Sequence, residues 1–290
     1  MIYYLTDSDL NTSSAVLWIH GPDANTYLQG QFTQDLRVKS GESAYGLWLN
    51  QKGKVLADSQ VLKRGENDYL VVSFSSKAAD LRARLESYLI ADEVELEDQT
   101  DAWAGILLWG AGAAELMAPA GVVALPSRRA GADSRQWLVP AGSLDSARAT
   151  LTGRAEPSDH AAAERVRLQA AMPAVPADIG PRDLPNEGGL DDVAISYTKG
   201  CYLGQEVMAR LKNLGQVRRR LHLVRGSGAV PVPGTALFQG ERKVGETRSA
   251  AVDGDGFLAL ALLSLVNLEP SAGLARAAGG GADIKILQRV

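Results

Sequence analysis

The feature that most constrains the fold is a change in sequence texture near Gln216. From there to residue 290, short strand-like runs alternate with glycine and proline turns such as Val232-Pro233-Gly234. Several short strands separated by turn signals are typical of small barrels and sandwiches. The predicted strands lie at 221–224, 236–238, 243–245, 256–263 and 283–287, with a glycine turn at 279–281 before the last. We therefore predict a small all-β domain over residues 215–290.

Residues 1–214 alternate strand-like and helix-like patterns instead, which predicts an α+β fold class for this larger region. Strands are predicted at 15–20, 45–49, 55–62, 69–74 and around Val94 and Leu96. One helix is predicted from Gly21-Pro22-Asp23 to about Gly30, and another at 81–89. A second strand–helix unit is predicted at 105–109 and 112–117. Further helices are expected to begin near Ser143 and Ser158, whose hydroxyls are suited to cap backbone donors.

Composition excludes several classes of protein. The net charge of −4 and pI near 5.5 argue against coating nucleic acid or anionic membrane through the overall field. One cysteine cannot form an intrachain disulfide or a four-cysteine metal cage. The N-terminus lacks a secretory signal pattern, and no run approaches the roughly 18 apolar residues of a membrane span. We therefore expect a soluble cytoplasmic protein with no membrane contact.

The single cysteine, Cys201, lies between Lys199 and a predicted helix at 206–214. Backbone N–H groups at a helix start, together with a lysine, stabilise a thiolate if the sulfur points toward them. Gly200 and Gly204 flank the cysteine, as expected for a tight loop, and Gly215 is predicted to end the helix in a left-handed cap. On composition alone, a buried, inert cysteine is the better interpretation.

The surrounding sequence favours function instead. Residues 199–210 read Lys-Gly-Cys-Tyr-x-Gly-Gln-Glu-x-x-Ala-Arg, preceded by similar stretches at 184–187 and 195–198. This pattern resembles the signature of the YgfZ-type folate-binding proteins, relatives of the glycine-cleavage T-protein. Residues 21–35, 50–54 and 234–245 are similar to other parts of these proteins, so the resemblance covers most of the chain.

The resemblance implies a T-protein-like fold, in which two ferredoxin-like lobes surround a central folate cavity and a small β-barrel follows. Residues 1–214 would form the folate-binding region, with one lobe at roughly 44–100 nested within it. Residues 215–290 would form the barrel.

The resemblance also implies a function, namely a tetrahydrofolate-binding accessory protein for iron–sulfur enzymes or cluster-assembly factors, including enzymes that modify tRNA. Cys201 would be the functional thiol, with Lys199 beside it, and no permanently bound metal is expected. The thiol could ligate a cluster transiently, attack a folate-borne one-carbon unit, or scavenge a damaging species. Residues of the motif that would line the cofactor site are Gly200, Tyr202, Gly204, Gln205, Glu206 and Arg210.

Two positions depart from the T-protein pattern. The T-protein carries an Asp-Asp pair where this chain has Ala57-Asp58, which weakens the rival hypothesis of a folate-dependent aminomethyltransferase with Asp58 at its centre. Gln169 stands where an acidic residue would hold the pteridine ring, so we expect folate binding with reduced affinity if that residue makes contact. A surface glutamine on a helix is an equally good interpretation.

Weaker signals remain. The stretch 109–115 faintly resembles a dinucleotide-binding turn, but Glu115 replaces the third glycine. Arg218–Arg220 form a basic patch that could contact RNA or the folate polyglutamate tail, although a solvated turn is the plainer interpretation. An RNA-binding accessory factor is thus a third hypothesis. The histidines are too scattered to suggest a triad, and Asp191-Asp192 lack the spacing of a calcium loop.

Overall fold

The computed structural model describes residues 1–7, 15–215 and 217–290, without the side chain of Leu214. The strands are β1 Ile2–Thr6, β2 Ala15–His20, β3 Ser43–Leu49, β4 Val55–Gly65, β5 Asp68–Ser73, β6 Glu95–Asp98, β7 Trp103–Gly110, β8 Val123–Pro126, β9 Arg135–Pro140, β10 Glu156–Pro157, β11 Arg219–Ser227, β12 Ala236–Gln239, β13 Arg242–Asp253, β14 Gly256–Ser264 and β15 Ile284–Arg289. The helices are α1 Ala24–Gln31, α2 Ala78–Glu86, α3 Leu144–Ala149, α4 His160–Gln169, α5 Asp191–Ala194 and α6 Gln205–Leu214.

The first lobe is an antiparallel sheet in the order β3-β4-β5-β2-β6, covered on one face by α1 and α2. The position of β2 in the sheet explains why apolar and polar residues do not alternate along it. Leu17 and Ile19 pack among the helices, whereas Val16 and Trp18 belong to a cluster on the opposite face. Both faces are covered, so a continuous apolar run is required.

The second lobe is a mixed sheet in the order β10-β1-β7-β9-β8. Its second strand, β1, comes from the N-terminus and pairs antiparallel with β7 and parallel with β10. The two lobes meet through an apolar cluster that includes Val72 and Phe74 of the first and Leu125 and Leu138 of the second. The N-terminal strand therefore belongs to the second lobe, while the next strand along the chain belongs to the first.

The third sheet has the order β12-β13-β14-β11-β15, with antiparallel neighbours. Residues Leu274 and Ala275 join its edges, because Ala275 pairs with Phe238 and Leu274 pairs with Ile284. One face packs onto the central core, a cluster formed by residues of β3, β4, α6 and the chain between α4 and α6. The predicted strands of the C-terminal region thus form one antiparallel sheet, while the bounds of a separate domain at 215–290 stay a prediction.

Several local predictions were wrong. Residues 112–117 form turns and coil instead of a helix, since Gly110 and Gly112 adopt φ values of 99° and 90° that a right-handed helix excludes. The cap of α4 is Asp159, whose Oδ1 accepts from the Ala162 N–H at 2.7 Å, and not Ser158. Gly215 ends α6 in an extended conformation, not a left-handed one.

Strands β1, β8 and β9 were not predicted at all.

Within the described ranges, no helix has the length and apolarity needed to cross a bilayer.

Candidate functional site

Cys201 is exposed on a short loop that precedes α6. The loop turns at Gly204, the N-cap of α6, which has a φ of 87° that glycine adopts at little cost. The Gln205 N–H donates to the Tyr202 carbonyl at 3.1 Å, and the Leu203 N–H donates to the Gly30 carbonyl at 3.0 Å. The cysteine is thus carried by a loop whose backbone is bonded to itself and to the end of α1.

The β3–β4 hairpin supports this loop at close range. A Cβ added at Gly204 would lie 2.9 Å from the Asn50 carbonyl oxygen, and one added at Gly53 would lie 2.9 Å from the Met208 side chain. Only glycine permits this approach at both positions. Gly200 is different, because a Cβ there would meet no atom within 4 Å. The glycine at 204 is therefore required by packing, whereas the one at 200 is not.

Lys199 anchors the loop from inside the protein. Its side chain is buried, and its ammonium donates to the carbonyls of Phe32 at 2.7 Å and Gln34 at 2.9 Å. The ammonium also lies 5.6 Å from the centroid of the Tyr202 ring. Burial lowers the pKa of Lys199 to about 8. Two of the three N–H donors of the lysine are thus used in hydrogen bonds to the loop between α1 and β3. Its predicted action on the Cys201 thiol stays a prediction.

The other motif residues divide between core and surface. Tyr202 is buried in the central core, and burial raises the pKa of its hydroxyl well above the usual range. Gln205 is half-buried, whereas Glu206 and Arg210 are exposed on α6. Gln169 is exposed in the last turn of α4. The structure therefore gathers Lys199, Tyr202 and Gly204 around the loop, and it leaves Glu206, Arg210 and Gln169 in solvent.

Asp58 lies on β4, in a polar cluster between the lobes. The Tyr45 hydroxyl donates to Asp58 Oδ2 at 2.9 Å, and the Arg128 guanidinium lies over the Tyr45 ring at 5.4 Å. Burial raises the pKa of Asp58 to about 6, although the Tyr45 hydrogen bond and the charges of Arg128 and Arg129 act in the opposite direction. A carboxyl with a pKa near neutrality is suited to proton transfer.

The neighbouring position, Ala57, faces the opposite side of the sheet. Ala57 pairs with Trp48 and is buried among the helices of the first lobe, whereas Asp58 pairs with Leu47, a residue of the central core. Successive side chains of a strand point to opposite faces. A carboxylate at position 57 would therefore not face the Asp58 cluster, and its absence leaves that cluster intact.

A cavity of about 250 Å³ opens where the lobes meet the third sheet. We call it the interlobe cavity; its lining residues are Phe74, Ser75, Leu107, Arg129, His160, Ala163, Glu164, Arg167, Ala174, Ala177 and Ser249. Arg129 is common to the cavity and to the electrostatic surroundings of Asp58, and it donates to Asp7 and Gln136 at 3.1 Å each.

Arg167 lines this cavity and is held there by a buried ion pair. Its guanidinium donates to the fully buried Asp178 at 2.7 Å, and Asp178 also accepts from the Ser249 N–H of β13 at 2.8 Å. The segment that follows α4 is thereby fixed to the third sheet.

Sequence reasoning missed Tyr45, Arg128 and Arg129. Tyr45 looked like an ordinary strand residue, and the two arginines lie in a loop between strands that were not predicted. The contact between Arg128 and Tyr45 joins residues more than eighty positions apart, so no spacing rule could find it. The one available signal was the pair of adjacent arginines in a polar loop.

The predicted basic patch at 218–220 does not form one cationic surface. Arg219 pairs with Glu187 at 2.9 Å and with Asp183 at 3.2 Å, so its charge is compensated. Arg220 donates through Nε to the Val290 carbonyl at 2.7 Å, and Arg218 is exposed. Arg219 thus joins the third sheet to the segment that precedes it, whereas Arg220 bonds to the residue that follows β15 of the same sheet.

Comparison with known proteins gives two family matches. The GCVT N-terminal domain family matches residues 9–127, and the CAF17 C-terminal β-barrel domain family matches residues 218–287.

The chain is also similar to curated relatives. The human mitochondrial iron–sulfur cluster assembly factor IBA57 is 29% identical over 282 residues, which cover 86% of this chain and 74% of that protein. The tRNA-modifying protein YgfZ of Cronobacter sakazakii is 28% identical over 252 residues, covering 80% and 74%. An IBA57 homologue from Cryptococcus neoformans is 28% identical over 245 residues, covering 73% of this chain but only 64% of the relative.

Among solved structures, the aminomethyltransferase T of the glycine cleavage system from Bartonella henselae matches with a TM-score of 0.82. The match covers 98% of this chain and 84% of that one at 18% identity, so it establishes the α+β fold and nothing about activity. The chain therefore carries a GCVT N-terminal domain and a CAF17-type C-terminal β-barrel domain, and over most of its length it is similar to the YgfZ and IBA57 proteins.

Proposed function

We propose that this protein binds tetrahydrofolate and serves iron–sulfur enzymes as an accessory factor for cluster assembly, maintenance or repair, acting through Cys201. The observation that carries the proposal is the position of the thiol, exposed on a loop that Lys199 and Gly204 anchor to the fold. The relatives named as iron–sulfur cluster assembly factors and tRNA-modifying proteins support this pathway for the chain.

Exposure suits a thiol that must meet a partner protein. A buried cysteine reaches neither a cluster nor a second macromolecule, whereas Cys201 is open to solvent. The iron–sulfur cluster is in this account a substrate that the thiol contacts transiently, and the partners are iron–sulfur enzymes, including those that modify tRNA, or assembly factors. We expect the protein to act as an accessory factor in the cytoplasm.

Folate would occupy the space between two ferredoxin-like lobes in residues 1–214, with the barrel of residues 215–290 closing one side. The polar lining of the interlobe cavity includes Arg129, Glu164 and Arg167, which offer donors and acceptors for ring N–H and carbonyl groups. Arg129 also lies near Asp58 and next to Arg128, whose buried Nε has no hydrogen-bond partner among the described residues. The cavity of about 250 Å³ is smaller than the roughly 300–1,000 Å³ of typical ligand pockets, so it suits the ring end of the molecule. Bound tetrahydrofolate would supply a carrier for one-carbon units.

Rescue of iron–sulfur enzyme activity tests the proposal. In cells depleted of the endogenous protein, the wild type should restore the activity of an iron–sulfur enzyme, and Cys201→Ala, expressed at the same level, should not. Asn213→Ala is the matched control, because Asn213 is exposed on the adjacent helix and lies outside the 199–210 motif. Rescue by Cys201→Ala would overturn the role of the thiol.

A folate-dependent one-carbon transferase is the second candidate, and Asp58 favours it. Its pKa of about 6 and its place in an intact polar cluster provide an acid or base beside the proposed folate site. This candidate requires turnover of a methylene- or aminomethyl-folate by the purified protein, lost in Asp58→Asn. Absence of turnover in the wild type would exclude it and leave the accessory role.

A further inference from the structure

Strands β2 and β6, at one edge of the first-lobe sheet, carry a second group of side chains that could bind a ligand. Among the residues that the structure describes, His20, Glu95 and Glu97 place one nitrogen and two carboxylate oxygens within 4.8 Å of one another. We propose that these three residues form a divalent transition-metal site of the zinc class.

Strand pairing fixes the geometry of this group. In the β2–β6 ladder, His20 lies opposite Glu95 and Trp18 lies opposite Glu97, so the three candidate ligands share one face. The imidazole Nε2 already lies 3.2 Å from Glu97 Oε1. Two ligands of a tetrahedral zinc ion with bonds of about 2.0–2.1 Å are about 3.3 Å apart, so His20 and Glu97 already have the required spacing. The exposed Glu95 has an oxygen within 4.8 Å of both.

The histidine ring is held in place before any ion arrives. Its centroid lies 4.0 Å from that of the Trp18 ring, and the Trp18 Nε1–H donates to Asp68 at 2.8 Å. The neighbouring cation, Arg64, lies with its guanidinium carbon 5.6 Å from the centroid of the Trp18 ring. Its Nε forms an ion pair with Asp68 Oδ1 at 3.7 Å. An oriented imidazole loses little freedom on binding, which favours coordination.

Local charge attracts a cation to this surface. Five of the seven residues from 92 to 98 are acidic. In the described part of the chain, Glu97 forms an ion pair only with His20, and no arginine or lysine forms one with Glu95. A bound ion would neutralise both carboxylates and tie the short edge strand β6 to β2.

The ligand set points to zinc in preference to calcium or magnesium. One imidazole and two carboxylates suit zinc, whereas calcium takes six to eight oxygens and magnesium usually keeps several waters. Three protein ligands leave the fourth position for water. This site depends on neither Cys201 nor the interlobe cavity.

Calorimetric titration of ZnCl₂ into the purified protein tests the proposal. The wild type should bind one equivalent at this site, and His20→Ala and Glu95→Gln should each weaken that binding at least about tenfold. Asp92→Asn removes one acid of the same segment without removing a ligand, and Cys201→Ser removes the thiol, so both should bind as the wild type does.

Four results would overturn the site: no zinc uptake by the wild type, unchanged binding by His20→Ala and Glu95→Gln, a loss in Asp92→Asn as large as theirs, or loss of the equivalent in Cys201→Ser. Glu95→Gln conserves volume at an exposed position, so its result does not depend on how well His20→Ala folds.

Discussion

The buried ammonium of Lys199 should make the stability of the protein depend on alkaline pH. Its pKa is about 8 in the fold against 10.5 for an ordinary lysine, so between those values the unfolded chain binds more protons than the native one. Stability must therefore rise as pH increases through this window. The full shift corresponds to about 3 kcal/mol, and the part recovered between about pH 7 and about pH 9.5 is about 2 kcal/mol.

The perturbation is Lys199→Met, which keeps the length of the side chain and removes the charge. The unfolding free energy of wild type and variant should be measured by urea denaturation at several pH values, and the difference plotted against pH. In the variant, the carbonyls of Phe32 and Gln34 lack their donor at every pH. The resulting loss of unfolding free energy is therefore the same at every pH and does not affect the slope of the plotted difference. Other titrating groups contribute equally to both proteins.

The expected result is a gain of about 2 kcal/mol by the wild type relative to Lys199→Met across this range. Lys52→Met, at an exposed position of the β3–β4 hairpin, is the control and should run parallel to the wild type. If Lys199→Met also runs parallel, the lysine is hydrated and the loop of Cys201 is not anchored as described.

Two further variants test the loop and the polar cluster. Gly204→Ala should destabilise the protein by about 2 kcal/mol or more and change the rate at which a disulfide reagent labels Cys201, because the residue has positive φ and its Cβ would press on the Asn50 carbonyl. Tyr45→Phe should raise the pKa of Asp58 further above about 6, since the lost hydrogen bond lowers that pKa; carboxyl NMR titration measures the shift.

Matched controls separate these effects from general damage. Gly200→Ala should change stability by less than about 0.5 kcal/mol, because its Cβ would enter open space. Equal stability losses at positions 200 and 204 would contradict the packing argument. Tyr3→Phe, at an exposed tyrosine of the other lobe, should leave the pKa of Asp58 unchanged, and an Asp58 pKa unmoved by Tyr45→Phe would refute the role of that hydrogen bond.

Much of the fold was predictable because it depends on local patterns. The apolar run of β2 is buried on both faces, α6 occupies nearly the predicted residues, and the turn-separated strands after Gln216 form the third sheet. The helix predicted at 112–117 failed because two glycines with positive φ turn the chain there. The cap of α4 was misplaced by one residue because Ser158 and Asp159 are both good caps and only geometry chooses between them.

The site was only half predictable, because it joins residues remote in sequence. The motif around Cys201 is one continuous stretch of sequence, so its resemblance to the YgfZ-type signature could point to its glycines and lysine. The cluster of Tyr45, Asp58 and Arg128 depends on how two lobes meet, and the crossing of β1 into the second lobe has no local signal. The opposite orientations of Ala57 and Asp58 follow from strand pairing. Because Ala57 faces away from the Asp58 cluster, the alanine at this position no longer counts against the one-carbon transferase hypothesis.

We propose that the space between the lobes holds tetrahydrofolate while Cys201 acts outside it. Calorimetric titration of tetrahydrofolate into the wild type and into Cys201→Ala tests this claim most directly. We predict saturable binding of one equivalent by both proteins, with affinities that agree within about twofold, a difference of about 0.4 kcal/mol. The absence of saturable binding by the wild type would contradict the claim.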